Sequence, residues 1–245
     1  MKQNKYDDPD FFAAYAAMPR SVAGLEAAGE WQALRAMLPD FTGRRVLDLG
    51  CGFGWHCRYA REQGAAHVVG IDISEKMLER ARAESDDPAI EYRLGAIEDV
   101  DLADGAFDVV LSSLALHYIA DLDAVLAKVA RLLVPGGSFV FSAEHPVFTA
   151  MPGQDWQRDA DGTIRHWPVD DYQMEGIRKA HWLGADVVKY HRTLATWIGT
   201  LIANGFRITG LAEPKPPETM IAERPDTADE LRRPMFLIVA AVKEG

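Results

Sequence analysis

Val46-Leu47-Asp48-Leu49-Gly50-Cys51-Gly52-Phe53-Gly54 carries an apolar strand pattern straight into three glycines on alternate positions. Downstream, Val68-Val69-Gly70-Ile71-Asp72 is a second apolar strand, and it ends in a carboxylate. A strand, a glycine turn, a helix and a second strand tipped with an acid make a mononucleotide-binding βαβ unit. Glycine belongs where the backbone must take a positive φ or come close to a ligand. An acid at the tip of the second strand is placed to accept hydrogen bonds from ribose hydroxyls.

The spacing separates two cofactors. A dinucleotide fingerprint reads GxGxxG, and counted from Gly50 its third glycine would fall on Trp55. That glycine lets the helix start press against the strand, with pyrophosphate on the helix N-terminus. An indole there would crowd the approach. The run from Asp48 to Gly54, with Asp72 after it, instead closely resembles motifs I and II of the class I S-adenosylmethionine-dependent methyltransferases. The resemblance covers residues 43–142, roughly Gly43 to Ser142. In overall layout the chain looks like the ubiquinone/menaquinone-biosynthesis-type and other small-molecule methyltransferases. A nicotinamide-dependent Rossmann oxidoreductase and a non-catalytic binding module on the same fold are the competing readings. Trp55 speaks against the first, and the intact glycine loop with Asp72 against the second.

Outward from that unit, strands and helices alternate. Strands are expected over residues 44–49, 67–71, 90–94, 107–111 and 138–142, with helices over 55–63, 74–84 and 121–133 between them. Such alternation predicts an α/β fold: a doubly wound, mostly parallel sheet with right-handed crossovers, its strands apolar on both faces. A helix over 193–203, a strand over 206–211, a proline-rich acidic loop over 214–234 and a strand over 235–242 follow. The resemblance implies seven strands in a Rossmann-like sheet, with the last one antiparallel between its neighbours. Two segments stand apart. Residues 1–42 read as an N-terminal helical cap on the 43–245 domain, with helical spacing over 10–38 broken at Pro19. Residues 151–192 read as an insertion after the fifth strand. Its first part, 151–189, is rich in Gly, Pro, Asp and Trp without a helical period, and reads as an irregular lid.

Composition narrows the partners. The 245 residues suffice for one large domain, and the formal net charge of −11 disfavours a nucleic-acid substrate. Cys51 and Cys57, the two cysteines, suggest neither a disulfide framework nor a metal site, and reduced thiols fit a cytoplasmic protein. The N-terminus lacks the apolar core of a secretory signal. The longest apolar run, 235–242, is too short to cross a membrane. A small-molecule acceptor is therefore expected. The oligomeric state, and whether the acceptor atom is C, N, O or S, stay open.

Methyl transfer from a sulfonium needs nucleophile, methyl and sulfur held in line, and sometimes a proton removed. The resemblance implies that Asp48 and the backbone of Gly50, Cys51, Gly52 and Gly54 approach the methionyl end of the cofactor. It implies that Asp72 binds the ribose, and that Ile73 and Met77 cover the adenine, Met77 being otherwise a core residue. Where many relatives carry an acid for the adenine amino group, this chain has Ala96, followed by Ile97-Glu98-Asp99. The Ile97 backbone, or Glu98 or Asp99 in a shifted register, are the alternatives. The resemblance also implies that Ser112, just after the fourth strand, lies beside the cofactor. Tyr15 and Arg20 of the cap either close over the cofactor carboxylate or only pack.

The candidate catalytic residues are His117, His145 and His191. Histidine titrates near neutrality and suits a general base. His117 comes first, because the resembled fold sets its loop nearest the methyl. A histidine packing at a helix start is its alternative, a turn residue before proline that of His145, and a solvated loop that of His191. Tyr118, Trp182, Tyr190 and Arg192 are candidates for the acceptor's walls, with Arg192 suited to a carboxylate or phosphate.

Overall fold

The computed structural model describes residues 2–245. Its cap is three short helices, α1 (Pro9–Ala16), α2 (Pro19–Ala23) and α3 (Trp31–Met37). Asp8 caps α1 by accepting from the Asp10 and Phe11 amides. Proline at the first position of α1 and of α2 forfeits no helical hydrogen bond. The helical spacing expected from Pro19 to residue 38 is divided, because Gly24 at φ +72° and Gly29 leave only a 3₁₀ turn ahead of α3.

The core unit follows as β1 (Arg45–Leu49), α4 (Trp55–Glu62), β2 (His67–Asp72), α5 (Glu75–Ala83) and β3 (Ile90–Leu94). Next come β4 (Phe107–Ser113), α6 (Leu122–Leu132) and β5 (Leu133–Glu144). Ser74 and Asp121 cap α5 and α6 through their side chains. β5 begins five residues earlier than expected. Leu133 already pairs with Phe107, and the Pro135-Gly136-Gly137 stretch is a bulge before regular pairing resumes at Ser138.

The chain then forms α7 (Pro146–Thr149) and four short strands, β6 (Gln157–Arg158), β7 (Ile164–His166), β8 (Gly176–Trp182) and β9 (Ala185–His191). The irregular segment expected here is therefore two antiparallel hairpins. The β8–β9 turn is Leu183-Gly184, with φ +50° and +77°, the left-handed pair that a two-residue hairpin turn requires. Its alternation is hard to see because the inward positions include Arg178, Lys189 and His191, all buried beside Ala180 and Val187. The first hairpin is held by an aromatic box. The Arg233 guanidinium lies 4.4 Å from the Trp167 ring and 4.8 Å from Phe148, and these two rings stack at 5.1 Å.

The tail adds α8 (Leu194–Ala203), β10 (Phe206–Ala212), α9 (Glu218–Glu223) and β11 (Phe236–Lys243). The region expected as loop before β11 thus carries α9 and a 3₁₀ segment. The seven sheet strands run in the order β10-β11-β5-β4-β1-β2-β3. All neighbours are parallel except β11, which is antiparallel to both β5 and β10. Phe139, Phe141, Trp197 and Leu126 are fully buried on one face, and Trp31, Cys57, Ala60 and Leu78 on the other. The chain leaves β1 for β2 on one side and has β4 on the other. That switch point opens a crevice at the carboxyl ends of the strands, where open α/β sheets bind ligands.

Candidate active site

The three turn glycines serve different ends. Gly50 (φ +77°) sits so close to the loop after β4 that a Cβ on it would lie 2.5 Å from the Ala115 Cβ. Gly54 (φ +71°) makes room for the Tyr92 hydroxyl, 2.2 Å from where its Cβ would be. Gly52 (φ +52°) meets nothing within 4 Å: its missing side chain faces open space. Its amide donates to Asp72 Oδ2 at 2.9 Å, and the Ser74 amide donates to Oδ1 at 2.9 Å. Burial raises the Asp72 carboxyl above the ordinary range, and those two amides partly offset it. Trp55, in the place of a dinucleotide glycine, turns its ring toward Gly24 of the cap and stacks under Arg58 at 4.4 Å.

A cavity of about 900 Å³ starts at this turn and runs under the cap and the β8–β9 hairpin. At one end its wall is Gly50, Gly52, Asp72, Ile73, Met77, Ala96 and Ile97. Glu98 joins them there, whereas Asp99 pairs with Lys2. Tyr15 and Arg20 line the middle, with Arg20 bound to the buried Glu30 at 2.6 Å. At the other end are His117, Tyr118, Glu144, Trp182, Lys189 and Tyr190. Trp182 reaches down from the hairpin to Phe11 and Tyr15, at ring distances of 5.5 and 6.2 Å.

Several expected site residues stand outside this wall. Asp48 is buried behind the turn, against Cys57 Sγ at 3.3 Å, and burial pushes its carboxyl up to about 7. Cys51 and Gly54 face the packing side of the turn; Cys51 borders only a small crevice beneath it. Ser112 donates to the Leu49 carbonyl at 2.8 Å, tying β4 to β1, and its neighbour Ser113 takes the place on the cavity wall. His145 caps α7 through Nδ1, which accepts from the Val147 amide at 3.0 Å, and turns Nε2 to Glu213 at 2.8 Å. His191 is fully buried between the Thr149 hydroxyl at 2.7 Å and the Tyr172 carbonyl at 2.9 Å. Arg192 donates to the carbonyls of Ile119 and Ala120, the latter at 2.9 Å, fastening the hairpin to the loop after β4. All three are staples of the insertion.

The wall also holds residues that the sequence did not single out. Glu144 takes a hydrogen bond from Gln154 Nε2 at 3.0 Å and pairs with Lys189, whose Nζ also donates to Gln154 at 3.0 Å. Gln3 and Tyr6 come from the segment before α1. Gln3 Oε1 accepts from the Val188 amide at 2.8 Å, and Asp7 accepts from the Ser74 hydroxyl at 2.6 Å. The extreme N-terminal segment thus bridges the hairpin to the start of α5. A lone lysine and a glutamate before a histidine carry no signal until the fold pairs them. Leu114, at φ +53°, and Gln154, at φ +45°, carry strain in the wall, in a conformation uncommon outside glycine.

The profile of the methyltransferase domain family matches residues 47–141. A solved S-adenosylmethionine-dependent methyltransferase from Mesorhizobium loti is 50% identical, with a TM-score of 0.84, over 90% of this chain and all of that one. The chain belongs to the S-adenosylmethionine-dependent methyltransferases. A solved Listeria monocytogenes chain is 53% identical over 89% of this protein and all of its own length, also with a TM-score of 0.84. Malonyl-[acyl-carrier protein] O-methyltransferase from Serratia marcescens is 35% identical over 60% of this chain and 58% of its own. This methyltransferase therefore takes S-adenosylmethionine as cofactor, and its residues fit that group. The open cradle at Gly52 admits a close backbone approach, and Asp72 offers a buried carboxylate beside it. No group of metal-ligating side chains is assembled among the described residues, and none of their helices is long and apolar enough to cross a membrane.

Proposed function

We propose that this enzyme methylates a small molecule held in the hairpin end of the cavity, with the cofactor lying along the glycine-turn end. The observation that carries this reading is the continuity of one cavity of about 900 Å³ from Asp72 to Glu144 and Lys189. That volume suits a cofactor together with a modest acceptor. In this reading Asp72 holds the ribose hydroxyls, and Ile73, Met77, Ala96 and Ile97 enclose the adenine. Tyr15 and Arg20 attend the methionyl end. His117, Tyr118, Trp182 and Tyr190 surround the acceptor, and the β8–β9 hairpin closes over it. When bound, the cofactor supplies a methyl group on a positively charged sulfur. The chain's own part is to align the acceptor and exclude water, a contribution worth up to about 7–11 kcal/mol when two reactants are well oriented.

The Serratia relative is an O-methyltransferase, which favours an oxygen acceptor here. The acidic balance of −11 speaks for a metabolite rather than a nucleic acid, and two free cysteines for a cytoplasmic setting. The test is incubation with methyl-labelled cofactor and a cell extract split into small-molecule and macromolecular fractions. Label should enter the small-molecule fraction. Label confined to nucleic acid or protein would refute the reading.

A further inference from the structure

The polar groups around the acceptor are almost all committed before any acceptor arrives. The Nδ1 atom of His117 accepts a hydrogen bond from the Glu144 backbone amide at 3.3 Å. An amide can only donate, so Nδ1 must be the unprotonated nitrogen and Nε2 must carry the proton. His117 lines the cavity, and Nε2 meets no protein partner there. Glu144 is the nearest alternative base. One of its oxygens is taken by Lys189 and the other by Gln154. Tyr6 and Tyr118 add two neighbouring hydroxyls, and Lys189 has three N–H donors for two fixed acceptors. His181, the other histidine on the wall, stands at the exposed rim beside Asp186, 3.1 Å away. This end of the cavity therefore offers donors, and its one carboxylate is already engaged by a cation and an amide.

We propose that His117 serves the acceptor as a hydrogen-bond donor through Nε2, not as a general base, and that the acceptor reaches the enzyme already carrying an anionic oxygen, a carboxylate or a comparably acidic oxygen acid. The proposal rests on the methyl transfer proposed above. A lone pair on that oxygen forms the new O–C bond. The C–S bond breaks with its electron pair left on sulfur, and the oxygen's negative charge and the sulfonium's positive charge cancel. No proton is released, so none has to be accepted. An alcohol, a protonated amine or an acidic carbon would each need a base, and this lobe offers only a carboxylate already bound to Lys189 and Gln154. Tyr6, Tyr118, Trp182 and Tyr190 provide an aromatic surround for the acceptor's body.

The ionisation of the neighbourhood agrees. Burial depresses His117 to about 4, with Glu144 opposing and Lys189 and Arg192 assisting, so the ring is neutral at physiological pH. Burial would raise the Glu144 carboxyl, but His117, Lys189 and Gln154 together bring it below the usual range, which weakens it as a base. Burial also raises the phenols of Tyr6 and Tyr118, which keeps them protonated.

Two measurements on the full chain test this. Nitrogen-15 NMR reads which ring nitrogen is protonated, with the His117 signals identified by their loss in His117→Gln. It is run on free protein and on protein saturated with adenosylhomocysteine. The expected result is one neutral Nε2–H ring from pH 5.5 to 9 in both. An Nδ1–H ring, or uptake of a second proton near pH 6.5, overturns the donor role. Calorimetry then titrates phenylacetate, phenylacetamide and phenethylamine into the adenosylhomocysteine complex. Phenylacetate should bind at least tenfold tighter than the other two. That preference should be lost in His117→Ala and restored to within threefold in His117→Gln, whose amide donates without being basic. Equal or tighter binding of the amide or amine, or no phenylacetate binding, overturns the acceptor class. Failure of adenosylhomocysteine to bind would instead strike the proposed function, and the ring measurement on free protein would still decide the role of His117.

Discussion

The two ends of the cavity are built by different rules. At the glycine-turn end the chain uses backbone: an amide from Gly52, an amide from Ser74 and one carboxylate, all within 23 residues of one another. At the hairpin end it uses side chains drawn from three places: His117 after β4, Glu144 at the end of β5 and Lys189 on β9. The first end needs special conformations, so it leaves glycines at fixed spacing. The second needs paired charges and fixed tautomers, which leave no spacing at all. A constant cofactor can be served by a local motif. A variable acceptor is served by long-range packing.

If that division holds, damage at the hairpin end should cost stability and spare the cofactor. Lys189→Ala leaves the largely buried Glu144 without its cation, and breaking a fully buried pair of this kind costs up to about 3–5 kcal/mol. Chemical denaturation should show that loss, with adenosylhomocysteine affinity within twofold of wild type. The double variant Lys189→Met with Glu144→Gln should recover most of it. A large fall in cofactor affinity in the double variant would mean that the two ends are not separable.

A second consequence is spread over both ends. Burial holds His56, beside Arg20, at about 3, and His117 at about 4. Both are depressed below an unfolded value near 6.5, so their contribution is complete above that pH and is lost as pH falls toward 4. Asp48 acts in the opposite sense. Its folded value, about 7, lies above the unfolded one, so it favours the folded state increasingly as pH falls from 7 to 4. His145 and His191, also depressed by burial, act with these two histidines, and Asp72, also raised by burial, acts with Asp48. Each such group changes the slope by about 1.4 kcal/mol per pH unit inside its own window, and the histidines, being the more numerous, make stability decline on acidification below about pH 6.5. Thermal melts should show that decline in wild type and a decline shallower by about 1.4 kcal/mol per pH unit in His56→Gln. Stability that rises on acidification would contradict the buried neutral state of the histidines.

A smaller effect separates the glycines. Gly52→Val puts its side chain into open space, so the fold should survive with about 1–2 kcal/mol of left-handed strain. The cofactor should then be excluded, with affinity down a hundredfold or more. Gly54→Ala drives a Cβ into Tyr92 and should lose stability first and binding only as a consequence. Equal melting temperatures for the two variants would blur the contrast between a cradle and a packing glycine.

The sequence was legible where local pattern decides. β3 falls at its expected residues, and β1, β2 and α4 to α6 lie within a residue or two of theirs. The antiparallel last strand follows the resemblance. Gly50, Gly52, Asp72, Ile73 and Met77 all reach the cavity. The β8–β9 hairpin was hidden because three of its inward residues, Arg178, Lys189 and His191, are charged or imidazole, which blurs the usual apolar alternation. His145 and His191 read as catalytic because a histidine near a strand end looks the same whether it caps a helix, staples a loop or faces a substrate. Only hydrogen-bond partners tell these apart. Tyr6 went unnoticed because its neighbours have no periodic pattern, and Asp7 and Gln3 fix it only through contacts distant in sequence.

The central claim is that the glycine-turn end, through Asp72, is where the cofactor is held. Calorimetric titration of adenosylhomocysteine into wild type and Asp72→Ala measures it most directly. Loss of charge-assisted hydrogen bonds worth about 1.5–3 kcal/mol should weaken binding by roughly ten- to a hundredfold, while circular dichroism reports an unchanged fold. Wild-type affinity in a folded Asp72→Ala protein would contradict the account.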